Sequence, residues 1–386
     1  MKSLKTNSLI VNIVGDGLVR LATNVNRIFG FNYATFLPKQ YQFSNILDSS
    51  KKSSNLTLLF YVVDELYVKH YLKSINNRDI VKISEHCYVD PTNRKVLCSR
   101  YTGAFNLEAI IEIKSDRIKV LSNKYLYNIV RLRIGDVYPP GVHLNTLTYL
   151  KLLEQDNLTL HGAALDKNNN AILLLAHSNV GKTLTSFLLT RNGFKLLGDD
   201  ILVVNIPELL VYSVPYAQTF HHNTFVLREL LKEGYIGTLS YLRIKIALKI
   251  ANAPIVPFYL NINSPPSGIY CWMNNNHKTI SKLKAIFILK RSIDNAKKYM
   301  CVDEDLSDIA VELARINHIE FKWLHDPIVH SLDIIERKSR SHYELLKREL
   351  HLIENLLRRT QVFIVNSNNP FDYHRIISKI YYEYLQ

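Results

Sequence analysis

The sequence is poor in cysteine and lacks the spacings that make cysteine informative. Its four cysteines, Cys87, Cys98, Cys271 and Cys301, are far apart and form no CxxC or Cys/His pairing with zinc spacing. Neither a disulfide scaffold nor a zinc finger is supported. Long hydrophobic runs are lacking too. The most apolar stretch, Leu56 to Val68, contains Asp64 and Glu65, and nothing approaches the ~18 uninterrupted apolar residues of a membrane span. Near the start, the run Leu9 to Val14 is short, broken by Asn12 and soon followed by Asp16 and Arg20. It is too polar for a secretion signal, so a soluble, cytoplasmic chain is expected. No internal repeat of fixed period is found.

What is present is material for a sizeable core. A length of 386 residues at ~150 per domain implies two or three folding units. The 47% hydrophobic share excludes a disordered, collagenous or low-complexity chain. The 48 Lys and Arg exceed the 34 Asp and Glu by 14, a surplus that favours anionic partners without choosing among them.

The first part of the chain alternates short apolar runs with polar turns: Leu9 to Val14, Leu56 to Val63, Leu66 to Tyr71, Ile80 to Ile83, Lys95 to Leu97, Ala109 to Ile113 and Ile118 to Leu121. These read as strands of an N-terminal α+β domain over 1–141, a unit for acceptor or partner recognition that carries no chemical signature. Pro139-Pro140-Gly141 marks the boundary, and 142–386 forms the second domain. There the pattern predicts a packing helix over His143 to Gln155, with Leu144, Leu147, Leu150 and Leu153 recurring along it. Two strands, Leu158 to Leu165 and Ala171 to Ala176, flank a tight turn. A helix from Gly181 to Arg191 and a strand from Phe194 to Leu197 follow, the strand ending in Gly198-Asp199-Asp200. Further strands are expected at Leu202 to Val204, Val211 to Val214, Ala285 to Leu289 and Val362 to Val365. Helices are expected over Phe225 to Lys232, Leu242 to Asn252, Tyr343 to Arg359 and from Phe371, and a loop over Ser264 to Lys278.

One constellation carries chemistry. Ala176-His177-Ser178-Asn179-Val180-Gly181-Lys182-Thr183 fits the phosphate-loop pattern GxxxxGK[ST] at every defined position but the first. Backbone amides of such a loop and the helix that begins at its end make a concave anion site. Within it Lys182 neutralises the β- and γ-phosphates and Thr183 ligates Mg²⁺, and Leu184, next after the motif, is counted with the cofactor-binding residues. Alanine at 176 is costly only if the loop demands a positive φ or close backbone approach there, and asparagine at 179 tolerates the left-handed region. Seventeen residues after Lys182 comes Asp199-Asp200, where one carboxylate can hold Mg²⁺ and the other accept a proton from an incoming hydroxyl. His161, one hairpin earlier, can return to the neighbourhood of Asp200 or serve only as a packed side chain.

Leu160 to Asp166, Ala176 to Thr183 and Gly193 to Asp200 resemble the catalytic core of the HPr kinase/phosphorylase family and its relatives. A looser likeness extends through Ala285 to Arg291. The resemblance implies an α/β fold with a C-terminal P-loop kinase domain of the HPr kinase/phosphoenolpyruvate carboxykinase type. It also implies transfer of a phosphoryl group from ATP or another nucleoside phosphate to a hydroxyl of a peptide, protein or small-molecule acceptor. Carried over, the loop amides and Lys182 hold phosphates, Thr183 and Asp199 hold Mg²⁺, Asp200 is the general base and His161 its neighbour, with an exchange of roles between the two aspartates left open.

The family's glutamate-containing EIRG-type signature has no counterpart here, and Ala176 replaces a glycine. A nucleotide-binding module or pseudokinase without transfer therefore stands as the alternative reading. A basic nucleic-acid-binding protein is a third, weakened by dispersed basic residues with no recognisable motif. Self-association is left open. His221-His222 and His325-Asp326 lack spaced partners and read as surface loops. Trp272 and Tyr270, beside Cys271, read as a hydrophobic anchor rather than a lid.

Overall fold

The computed structural model describes residues 9–34, 37, 55–74, 80–101, 106–132, 139–216, 223–251, 267–292, 298–302, 306–321, 326–337 and 342–385. The apolar runs of the first part become a sheet built from β1 (Leu9–Val14), β2 (Val19–Thr23), β3 (Leu56–Val63), β4 (Val81–Lys82), β5 (Cys87–Asp90), β6 (Lys95–Tyr101), β7 (Asn106–Ile113) and β8 (Arg117–Asn123). Their order is β1-β2-β3-β8-β7-β6-β5-β4. β3 is parallel to both β2 and β8, and the other pairs are antiparallel.

The second sheet contains β9 (Asn157–Lys167), β10 (Asn170–Leu175), β11 (Lys195–Asn205), β12 (Leu210–Tyr212), β13 (Ile280–Arg291), β14 (Lys298–Cys301) and β15 (Gln361–Ser367). β10 pairs with both β9 and β13, so β9, β11, β12, β13 and β10 close into a ring, which β15 and β14 extend from β13. The β9–β10 connection turns on Asn168 and Asn169, with φ of 54° and 66°, the left-handed pair that a two-residue hairpin selects. The molecule is thus mixed α/β with two sheets.

Both faces of the second sheet are buried along β9, β10 and β11, which is why these strands read as continuous apolar runs. Along β10, Ala171, Leu173 and Leu175 face the large core while Ile172 and Leu174 face a smaller one. The helix Tyr373–Ile380 covers that smaller core with Tyr373, Ile377 and Ile380. The helix Pro140–Glu154 buries Leu144, Leu147, Leu150 and Leu153 in the large core, which also takes in Ile13, Leu58, Ile111 and Val120 of the first sheet. The apolar interior is therefore continuous across the Pro139 boundary. Among the described residues no helix is long and apolar enough to cross a membrane.

Four expectations need correction. Leu66 to Tyr71 is not a strand but leads into the helix Val68–Ser74, a short run whose periodicity cannot separate the two. Within Ser264 to Lys278 lies the helix Ser267–Asn276; residues 264–266 are outside the described set. The strand expected to stop at Leu197 continues through both aspartates to Asn205. Finally, Cys87 and Cys98, eleven positions apart in sequence, face each other across β5 and β6, because a hairpin folds them together. Neither β2 and β5 nor the helix Lys124–Leu132 was legible.

Candidate functional site

The phosphate-loop segment leaves the end of β10 and enters the helix Lys182–Arg191. Its backbone explains its composition. Asn179 sits in the left-handed region at φ 65°, and Gly181 lies at φ 124°, where a side chain would be strained. A Cβ at Gly181 would also lie 2.9 Å from Pro370 Cβ. Ala176, in contrast, is not among the positive-φ residues and packs its methyl into the smaller core. The missing first glycine thus costs this loop nothing in backbone conformation. The helix has no acidic residue in its first turn and no side-chain cap at its start, so its amides and dipole favour an anion.

Lys182 is nearly buried, at 7% exposure. Its ammonium donates to Ala176 O at 2.8 Å and His177 O at 3.1 Å, tying the loop to its own exit helix and using two of three donors. Burial pushes its pKa down, while Asp199, Asp200 and Glu320 act in the other direction. Thr183 Oγ1 lies 3.2 Å from each carboxylate oxygen of Asp199.

Both aspartates line the same cleft, although neighbouring residues of a regular strand point to opposite faces. Two irregularities reconcile this: the β9–β11 register shifts between Leu196 and Gly198, and Asp200 takes φ 81°. Such strain in a non-glycine residue is characteristic of functional positions. The acids therefore stand within a strand at a bulge, not in a strand-ending turn.

Asp200 has 38% of its side chain open to the cleft, and His161 Nδ1 lies 3.5 Å from its Oδ1. Cleft walls surround that carboxylate closely. Burial first, then the Asp199 charge, raise its pKa to about 7, against the opposing pull of Lys182. Burial and the Lys182 charge push His161 below its ordinary range, leaving it neutral at pH 7. Its backbone N–H donates to Asn317 Oδ1 at 3.0 Å, which fixes the strand at that point. Among the described residues Nε2 of His161 has no hydrogen-bond partner, and it lies 3.9 Å from Glu320 Oε1.

The cleft holds about 420 Å³ and is lined by His161, Ser178, Asn179, Gly181, Lys182, Thr183, Leu184, Asp199, Asp200, Asn223 and Pro370. His177, Val180 and Ala176 belong to the loop but are not in this lining: Ala176 faces the core, and exposed His177 lies 3.7 Å from Glu312.

Sequence reasoning missed three residues. Glu320, on the helix Ser307–Phe321, accepts a hydrogen bond from Ser178; nothing in its local sequence signals a site. Asn223 caps the helix Thr224–Lys232, accepting from Phe225 N and Val226 N, and Pro370 lies within the turn from Asn369 to Asp372. Cap and turn chemistry were readable, but not their place in the cleft.

Other residues fall elsewhere. Asp326 is buried against His143 rather than in a surface loop. His221, His222 and His325 are outside the described residues. Trp272 is 4% exposed, its ring centroid 5.4 Å from that of Phe187, so it anchors rather than covers. No known protein family and no curated protein matches the chain.

Proposed function

We propose that the cleft binds a nucleoside polyphosphate with Mg²⁺ and transfers its terminal phosphoryl group to a hydroxyl. The observation that carries this reading is the placement of Thr183 Oγ1 3.2 Å from both Asp199 oxygens, at the start of the loop helix and in one cleft with Asp200.

The donor set fits the metal. Mg²⁺ takes hard oxygen ligands at ~2.0–2.1 Å and keeps waters and phosphate oxygens alongside one or two protein groups. Thr183 and Asp199 offer such oxygens. Charge points the same way: Asp199, Asp200 and Glu320 surround the single ammonium of Lys182, so a polyphosphate alone would meet net repulsion. Bound there, the ion would neutralise charge on the phosphates.

The remaining work belongs to the chain. Loop amides and the helix start orient the phosphates, and Lys182 supplies positive charge. Asp200 in its ionised form takes the proton of the acceptor hydroxyl as the hydroxyl oxygen bonds to phosphorus and the bond to the nucleoside diphosphate breaks. Neutral His161 stands beside Asp200, its Nδ1 3.5 Å from Oδ1. A family resemblance to HPr kinase-like enzymes agrees with this assignment, and a peptide or small-molecule acceptor fits better than HPr.

The test is release or transfer of labelled γ-phosphate by wild type, Lys182→Ala and Asp200→Asn across a panel of hydroxyl acceptors. Transfer by wild type and its loss in both variants is expected. If nucleotide binds yet wild type is as inert as Asp200→Asn, the site is a binding module.

A further inference from the structure

A second cluster lies in the N-terminal sheet. Cys87 and Cys98 are directly opposed in β5 and β6. The adjacent pair is joined by Ser99 N donating to His86 O at 2.8 Å. In an antiparallel ladder hydrogen-bonded and non-hydrogen-bonded pairs alternate, so Cys87 and Cys98 form the non-hydrogen-bonded kind. There the side chains approach most closely and Cα atoms are ~4.5 Å apart, within the span of a disulfide. Both residues are partly exposed, and their sulfurs are not linked.

They open on a cavity of about 130 Å³ with largely apolar walls, including Leu107, Ala109, Leu126 and Pro327. His143, from the first turn of the helix Pro140–Glu154, lines the same cavity. Its Nδ1 lies 2.7 Å from Asp326 Oδ1, with side chains 7% and 1% exposed, and Ile328 N holds that same oxygen at 3.0 Å. A buried carboxylate thus fixes an imidazole beside two thiols.

We infer that Cys87 is a peroxide-reactive thiol and Cys98 its resolving partner, forming a redox modification site for small hydroperoxides that is independent of the phosphate cleft. Cys87 gives its proton to His143, and the thiolate attacks the terminal, hydroxyl-bearing peroxide oxygen. The O–O bond breaks, leaving that OH on Cys87 as a sulfenic acid, and the departing alkoxide takes the proton back from His143 to leave as an alcohol, or as water from hydrogen peroxide. Cys98 sulfur then displaces hydroxide from Cys87, giving the disulfide and water. Two thiols are oxidised by two electrons and one peroxide is reduced. The electrostatics agree. The hydrogen bond from Cys98 lowers the Cys87 pKa against burial, with help from His143, while Cys98 is raised. For His143, burial opposes the charge but Asp326 outweighs it, and its pKa is raised.

The experiment treats the reduced full-length chain with hydrogen peroxide or tert-butyl hydroperoxide, then reads each cysteine by alkylation and peptide mass spectrometry. Cys87 is expected to be consumed roughly tenfold faster than exposed Cys301, in keeping with the lowering of the Cys87 pKa by Cys98 and His143, and a linked Cys87–Cys98 peptide should appear. Cys98→Ser should leave a Cys87 sulfenic acid that dimedone traps, and His143→Gln should slow consumption of Cys87 by roughly tenfold. Equal rates at Cys87 and Cys301 in the wild type, or absence of the linked peptide, would overturn the proposal. That comparison is made within one unsubstituted chain, and no phosphoryl transfer enters the readout, so neither reading stands or falls with the other.

Discussion

Asp200 combines two features that ordinary folding would remove: a left-handed backbone at φ 81° and a carboxyl pKa raised to about 7 by burial and Asp199. Between the ordinary carboxylate value of 3.8 and about 7, the folded chain holds this proton more tightly than the unfolded one. Asp200 therefore costs stability as pH rises through that window, and the cost is fully present above it. Asp200→Asn should raise stability at pH 8 by roughly 1 kcal/mol, a figure discounted for solvent in the cleft, with little gain at pH 4; thermal unfolding at the two pH values checks this. The same substitution should reduce turnover by roughly 10²–10⁴-fold while nucleotide still binds. Turnover of the wild type should fall on acidification as Asp200 takes up its proton, read from initial rates; a flat profile would remove Asp200 as base. At this scale Lys182, Thr183, Asp199 and Asp200 were legible because local spacing sets their relation. Glu320 was not, since it reaches Ser178 only through the packing of a distant helix.

The loop and its helix show which features of an element the sequence can disclose. Gly181 needs its φ of 124° and the space beside Pro370, so Gly181→Ala should destabilise by about 1–3 kcal/mol, seen as a lower denaturant midpoint. Ala176 needs neither, and its methyl fills the smaller core. Ala176→Gly should therefore cost roughly 1 kcal/mol and leave nucleotide affinity unchanged; tighter binding on that exchange would show that the loop does require glycine. Strand, loop and helix were readable from an apolar run followed by a breaker and a helix-forming stretch. The path of β11 was not. Gly198-Asp199-Asp200 has the composition of a turn, yet pairing of Leu196 to Asn205 with β9 carries the strand through it, and the bulge turns both acids to one side. Tertiary pairing overrode local preference.

For the whole molecule, the large core joins Ile13, Leu58 and Ile111 of the first sheet to Leu160, Leu173 and Leu202 of the second through the helix Pro140–Glu154. The boundary at Pro139 is real in sequence composition, but apolar packing runs across it. Heating should therefore give one transition, monitored both by tyrosine signals and by proteolysis in the N-terminal sheet. Three carboxylates around one ammonium in the cleft also make a whole-site prediction about its ligand. The most direct measurement is calorimetric titration of wild type, Lys182→Ala and Asp199→Asn with a nucleoside triphosphate, with Mg²⁺ and with chelator. Saturable binding by the wild type is predicted, weakened at least tenfold by chelator or by Asp199→Asn and abolished by Lys182→Ala. Absence of binding at millimolar nucleotide with Mg²⁺, or equal binding by wild type and Lys182→Ala, would contradict a polyphosphate site in this cleft.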